Sequence, residues 1–222
     1  MRLDKDELRG RSACRCERGL GGHAPRRVVV TGGPGAGKTA VLEVVRAHFC
    51  EHVIVLPEAA SIVFGGGFPR RGSESARRGA QRAIYHVQDQ LERIELDEHR
   101  AAIVLCDRGV VDGAAYWPGP PAQYWEAVGE TAESALARYD AVVHLRTPEL
   151  DSGYDHSNPL RVESATEASL IDRAILALWE GHPRRAVVEG TSDFVAKLRH
   201  ALDAIEARMP SCCQSHTTGL FR

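Results

Sequence analysis

Gly32–Gly33–Pro34–Gly35–Ala36–Gly37–Lys38–Thr39 matches G-x-x-x-x-G-K-[ST], the phosphate-binding P-loop, at every position. Its flanks fit as well. Arg26 to Val30 reads as a short buried strand, and Thr39 to Phe49 as a helix with Val41, Leu42, Val45 and Phe49 on one face. Glycines let the backbone wrap a phosphate chain so that successive N–H groups face its oxygens. The helix N-terminus adds partial positive charge. Lys38 has the reach for β- and γ-phosphates, and the Thr39 hydroxyl suits Mg²⁺. The nucleotide-contacting stretch thus runs through Gly32, Gly33, Pro34, Gly35, Ala36, Gly37, Lys38, Thr39 and Ala40. It implies a nucleoside triphosphate, ATP or GTP, with Mg²⁺.

Outward from the loop the chain alternates strand and helix. Residues 52–56, 102–106, 140–145 and 186–188 read as further strands, and 76–99, 168–179 and 193–208 as helices. The long helix shows an apolar side of Ala83, Ile84, Val87, Leu91 and Ile94. The next reads as amphipathic through Leu170, Ile171, Ala174, Ile175, Leu178 and Trp179, and the last through Phe194, Leu198, Leu202 and Ile205. Five short apolar strands with helices between them predict an α/β fold whose parallel sheet is covered on both faces.

The expected layout is a basic, disordered N-terminal tail over 1–25, a P-loop domain over 26–208 and a flexible C-terminal tail over 209–222. At 222 residues and 43% hydrophobic content, one core accommodates the chain. A net charge of −2 argues against a protein that coats nucleic acid. No apolar run approaches the ~20 residues of a membrane span, and the N-terminus has no secretory h-region. The six cysteines form no disulfide framework, so a reducing, cytoplasmic setting is expected. Cys14-x-Cys16 with His23 has metal-ligand character but no second ligand pair. Cys212–Cys213 reads as part of an inert tail, with acylation as the alternative.

In such a sheet the site lies at the strands' C-terminal ends. Glu58 follows the second strand, Asp107–Arg108 the third and Arg146 the fourth, with Arg161 in the loop beyond. Asp107 is either a Mg²⁺-holding Walker B carboxylate, beside Thr39, or a helix cap. Glu58 is either a base facing the γ-phosphate or a solvated strand-end side chain. Arg108 and Arg161 either cradle charge on a transferred phosphoryl group or pair on the surface. The N-K-x-D run of a GTPase is missing, and no glutamate follows Asp107 to activate water.

These residues carry a resemblance. Val30 to Thr39, Leu56–Pro57–Glu58–Ala59–Ala60, Cys106–Asp107–Arg108–Gly109, Ala115–Tyr116–Trp117, Arg138–Tyr139–Asp140 and Asn158–Pro159–Leu160–Arg161–Val162–Glu163 are similar to the P-loop ATPase-like domain shared by NadR and the TRPL translocation-defect protein. The resemblance spans about residues 26–205. It implies a three-layer fold with sheet order 2-3-1-4-5 and the layout of nucleoside, thymidylate and nicotinamide-riboside kinases. By the same likeness Glu58 is the base or orienting group, Asp107 and Arg108 serve metal and phosphate, Gln81 or Gln88 reads the acceptor, and Arg161 sits in a lid. The loop Glu189–Gly190–Thr191–Ser192 would neighbour adenine.

The reading is a Mg²⁺·ATP phosphotransferase acting on a small hydroxylated, nucleoside-like acceptor. The alternative is a nucleotide-gated module whose basic tail and Arg70–Arg71 and Arg77–Arg78 pairs face a protein or anionic lipid. Oligomeric state is left open. In the stretch from Tyr116 to Trp125, Tyr116 or Trp117 stacks on a planar ligand or packs the core, while Trp125 is assigned to packing.

Overall fold

The computed structural model describes residues 23–98, 101–147, 165–190 and 193–214. Five short, β-branched runs form one parallel sheet: β1 (Arg26–Thr31), β2 (Val53–Leu56), β3 (Ile103–Asp107), β4 (Ala141–Leu145) and β5 (Arg185–Val188). Their order is β2-β3-β1-β4-β5. β1 is central, pairing Val30 with Asp107 of β3 and Thr31 with His144 of β4. The crossovers are α1 (Lys38–His48), α2 (Ala59–Gly65) with α3 (Glu74–Glu98), α4 (Gly113–Tyr116) with α5 (Pro121–Val128) and α6 (Ala132–Ala137), and α7 (Ala165–Leu178). α8 (Phe194–Glu206) and α9 (Ser211–Gln214) follow β5.

Alternation along β1 divides the core into two layers. Val28 and Val30 pack with Leu42, Leu105, Leu145 and Ile205, whereas Val29 packs with Val104, Tyr139, Ile175 and Trp179. The expected fold class and strand order therefore stand.

The structure departs from local patterning at three places. α3 does not bury the stripe ending at Ile94, which is 50% exposed. It buries the adjoining face of Ala80, Tyr85, Gln88, Asp89 and Glu92. Charge is tolerated there because it is paired: Glu92 accepts from Gln88 at 2.9 Å and Tyr139 at 2.7 Å and faces Arg27 at 3.3 Å, while Arg138 donates to Asp89 at 2.5 Å. Leu170 and Phe194, expected on buried helix faces, are 56% and 47% exposed. The C-terminal tail was expected to begin at residue 209, yet Met209 and Cys213 belong to the α1/α8 core layer. Between α4 and α5 residues 117–120 are not helical; Trp117, Tyr124 and Trp125 are buried, Trp125 packing as expected, and the Tyr124 hydroxyl donates to the Val110 carbonyl at 2.7 Å. Residues 1–22 and 215–222 of the expected tails lie outside the described residues. Among the described residues, no helix is long and apolar enough to cross a membrane.

Candidate nucleotide-binding and phosphotransfer site

The loop from β1 to α1 sits where backbone conformation requires glycine. Gly32 has φ 134°, and a Cβ there would stand 1.9 Å from the Leu145 carbonyl oxygen. At Gly33 a Cβ would meet the Thr147 hydroxyl at 2.4 Å. The loop is thereby pressed against the end of β4, and Gly37, at φ 90°, opens α1 directly into Lys38. Thr39 and Ala40 follow at the exposed first turn.

Lys38 is buried, and its Nζ donates to the carbonyls of Gly32 (3.0 Å) and Gly33 (2.9 Å). Burial, followed by the neighbouring Arg108 charge, pushes its pKa down to about 8. Asp107 ends β3 beside it. Burial raises the Asp107 carboxyl, with Lys38 opposing. Among the described residues no donor bonds the Asp107 carboxylate. An unbonded carboxylate and a hydroxyl on the same cleft are hard oxygen donors, the chemistry Mg²⁺ accepts, so Asp107 and Thr39 fit the ion expected of a P-loop.

Arg108 is the one non-glycine residue with positive φ (72°) among the described residues. The strained backbone turns its side chain back across the end of β1. Nε donates to Glu58 at 3.0 Å, and a terminal nitrogen donates to the Gly32 carbonyl at 3.1 Å and to Asp112 at 3.3 Å. The Tyr116 ring lies under the guanidinium, 5.5 Å away. Glu58 precedes α2 and also accepts from the Ser61 hydroxyl at 2.7 Å. Burial raises its carboxyl, but Arg108, Ser61 and Lys38 together hold it below its ordinary value. A carboxylate held so low is a weak proton acceptor and a strong hydrogen-bond acceptor.

Lys38, Thr39, Glu58, Asp107 and Arg108 line one cleft of about 1710 Å³ together with Gln81, Gln88, Tyr116 and Tyr124. The Gln88 amide is engaged by Glu92, and Gln81 is half-buried. The exposed side chains of Leu170 and Phe194 also line this cleft. Arg161, the Asn158–Glu163 segment, and Thr191 and Ser192 lie outside the described residues.

Sequence reading gave no role to the groups beneath the loop. Asp112, 2% exposed, accepts from Thr31, from Trp179 Nε1 at 2.7 Å and from Arg108. Asp172 of α7 accepts from the Gly33 N–H at 2.9 Å, from Arg146 at 2.7 Å, and faces His144 at 3.0 Å. Lys197 of α8 donates to the Arg146 carbonyl at 2.6 Å. Asp112 was legible only as a neighbour of the Asp107–Arg108 pair, and Asp172 had no signal to set it apart from the other polar residues of its helix.

Burial raises the Asp172 carboxyl, but the bonds from His144, Gly33 and Arg146 outweigh it and bring its pKa to about 2. A carboxyl depressed in the folded state contributes stability above its unfolded pKa of ~3.9 and loses it as pH falls toward ~2, here about 2 kcal/mol in all. Asp172→Asn is therefore expected to cost about 2 kcal/mol at pH 7 and roughly half that at pH 3. Urea unfolding of both proteins at the two pH values measures it; an equal cost at both would remove the ionised carboxylate as the cause.

The glycine cradle, the lysine it encloses and the strand order around it define a nucleotide-binding P-loop domain of the kinase-like class. Within that class the chain belongs to the AAA domain family, whose model matches residues 27–196. Among solved structures it is similar to thymidylate kinase from Candida albicans, with 14% identity and a TM-score of 0.57 over 83% of this chain and 92% of that one. It is similar to NadR protein solved in complex with NR, at 15% identity and TM-score 0.61, covering 84% of this chain and 52% of that one. NadR protein in complex with NAD and AMP-PNP gives 13%, 0.54, 83% and 49%. The chain thus spans about half the length of these NadR chains, and at such identities the likeness shows the fold alone. No curated protein matches the chain's sequence.

Proposed function

We propose that this protein is a Mg²⁺-dependent phosphotransferase that passes the γ-phosphoryl group of ATP to a small hydroxylated acceptor, a nucleoside or a related metabolite. The observation that carries this reading is the cleft itself. Its volume of about 1710 Å³ exceeds the ~300–1,000 Å³ of a one-ligand pocket, and the phosphate cradle supplies only part of its lining. Beyond the cradle the lining includes the planar ring of Tyr116, beside Arg108, and the half-buried amide of Gln81.

In this reading the Gly35–Thr39 amides and Lys38 hold the β- and γ-phosphates, and Phe194 and Leu170 offer apolar surface to the base. Thr39 and Asp107 would hold Mg²⁺, which neutralises charge on the β- and γ-oxygens when bound. The acceptor oxygen forms the new P–O bond as the bond to the β–γ bridging oxygen breaks, leaving ADP. Glu58 accepts a hydrogen bond from the attacking hydroxyl and aligns it. Because the transition state is loose, the proton leaves late, passing to the transferred phosphoryl oxygens and on to solvent, and an orienting carboxylate suffices. Arg108 shares its charge between Glu58 and the phosphoryl group in flight.

ADP release from Mg²⁺·ATP with and without nucleosides, nicotinamide riboside and nucleoside monophosphates tests the reading. Stimulation by one compound establishes the kinase and names its acceptor. Tight binding without stimulated turnover would favour the nucleotide-gated module instead.

Lys38 gives a second test. With its pKa near 8 it is about half neutral at pH 8 in the free protein, and phosphate contact restores its charge. Mg²⁺·ATP binding is expected to take up about half a proton at pH 8 and about a tenth at pH 7. Calorimetric titration in buffers of different ionisation enthalpy reads the uptake directly. The same heat in every buffer at pH 8 would count against a depressed Lys38.

A further inference from the structure

His23, His52 and Cys213 meet at the end of the sheet opposite the P-loop. His23 stands just before β1 and His52 just before β2, and the strands are parallel, so both lie where the sheet begins. β3, which runs between them, is led in by the small residues Ala101 and Ala102, and the His52 backbone carbonyl accepts from the Ala102 and Ile103 N–H groups at 2.8 and 3.0 Å. Cys213 arrives from α9. The three side chains are 8%, 1% and 0% exposed, and one ligand atom from each lies within 4.8 Å of the others. The His23 and His52 rings stand edge to face, 5.1 Å apart, and His52 Nδ1 is 3.3 Å from the Cys213 sulfur.

We propose that these three residues form a zinc site that clamps the two ends of the domain to the start of the sheet. Two imidazoles and a thiolate form a donor set that zinc accepts and that disfavours the hard ions Mg²⁺, Ca²⁺ and Mn²⁺. With Zn–N ~2.0–2.1 Å and Zn–S ~2.3 Å, neighbouring ligand atoms on a tetrahedral ion sit roughly 3.3–3.7 Å apart. The His52–Cys213 pair is already at that spacing, and the rest is within about an ångström of side-chain rotation. Nδ1 is the His52 nitrogen that faces the sulfur, so it is the donor this ring offers the ion. On binding, zinc displaces the thiol proton of Cys213 to solvent and takes the sulfur as thiolate. The ion would join residues 23, 52 and 213, distant in the chain, and stabilise the fold without touching the cleft.

The test is metal content and cobalt spectroscopy on the full chain. The protein is expected to retain one equivalent of zinc after dialysis. Its Co²⁺ form should show a thiolate-to-cobalt charge-transfer band, and zinc should raise the melting temperature of the metal-free protein. Cys213→Ala should abolish the band, and His23→Gln should weaken zinc binding by at least ~100-fold, since even outer-shell partners of a ligand cost 10–100-fold. The Cys14→Ala/Cys16→Ala variant should keep both ion and band. Far-UV circular dichroism verifies folding, and His23→Gln carries the test if Cys213→Ala does not fold. A chain with no stoichiometric zinc and no melting shift overturns the proposal. So does a charge-transfer band that survives Cys213→Ala, or one that disappears with Cys14 and Cys16.

Discussion

Lys38→Ala is expected to weaken Mg²⁺·ATP binding by at least ~100-fold while leaving the free protein as stable as before or more so. The affinity loss follows from removing a buried cation that can contact two phosphates, each charged hydrogen bond being worth ~1.5–3 kcal/mol. The stability gain follows from the pKa. A lysine held near 8 in the fold against an ordinary value of 10.5 is charged more reluctantly there than in the unfolded chain. Below pH ~8 that reluctance costs the fold about 3 kcal/mol, and the cost fades as pH rises from ~8 to ~10.5. Alanine removes the cost but also the bonds to the Gly32 and Gly33 carbonyls, so the net gain should be about 1–2 kcal/mol at pH 7. Nucleotide titration and urea unfolding together decide the matter. Unchanged affinity would sink the P-loop assignment, and a large loss of stability would make Lys38 a structural residue instead.

Arg108→Ala should lose on both measures. Its guanidinium spans Glu58, Asp112 and the Gly32 carbonyl, and the Asp112 side chain is only 3% exposed. Removing the cation leaves a buried carboxylate short of its counter-charge, which costs ~3–5 kcal/mol. If Arg108 also meets the transferred phosphoryl group, single-turnover rates should fall ~10³-fold or more. Arg108→Lys separates the roles. A point charge can hold Asp112 and recover part of the stability, but it cannot bridge Glu58 and Asp112 at fixed angles, so turnover should stay low. A rate within tenfold of wild type in Arg108→Ala would confine this residue to structure. A stability loss under about 1 kcal/mol would mean Asp112 does not depend on it.

The parts legible in the chain were those encoded in contiguous residues. The P-loop is a string whose glycines have a local reason, and three of them adopt the positive φ that the string implies. The strands were legible because short β-branched runs flanked by turn residues have few other places to go. Asp107 and Arg108 stood out because a parallel sheet collects its strand ends on one side. The resemblance supplied the strand order, which spacing alone could not.

Tertiary structure decided what depends on partners distant in sequence. Glu92 and Asp89 are buried because Arg27, Arg138 and Tyr139 come to meet them, and a hydrophobic-periodicity reading prices such residues as if they were alone. Asp172 reaches the P-loop from another helix, separated by 139 positions from the Gly33 amide it accepts. Cys213 looked like part of a tail because a four-residue helix has no period to detect, yet it sits beside His52 across 161 positions. From the sequence by itself came which phosphate cradle this protein carries and which sheet bears it, since backbone conformation and strand formation are governed by near neighbours. Which charges are buried, how Arg108 is aimed and what the chain ends rest against were decided only by the fold, because a side chain's ionisation and burial depend on groups that tertiary packing alone brings within reach.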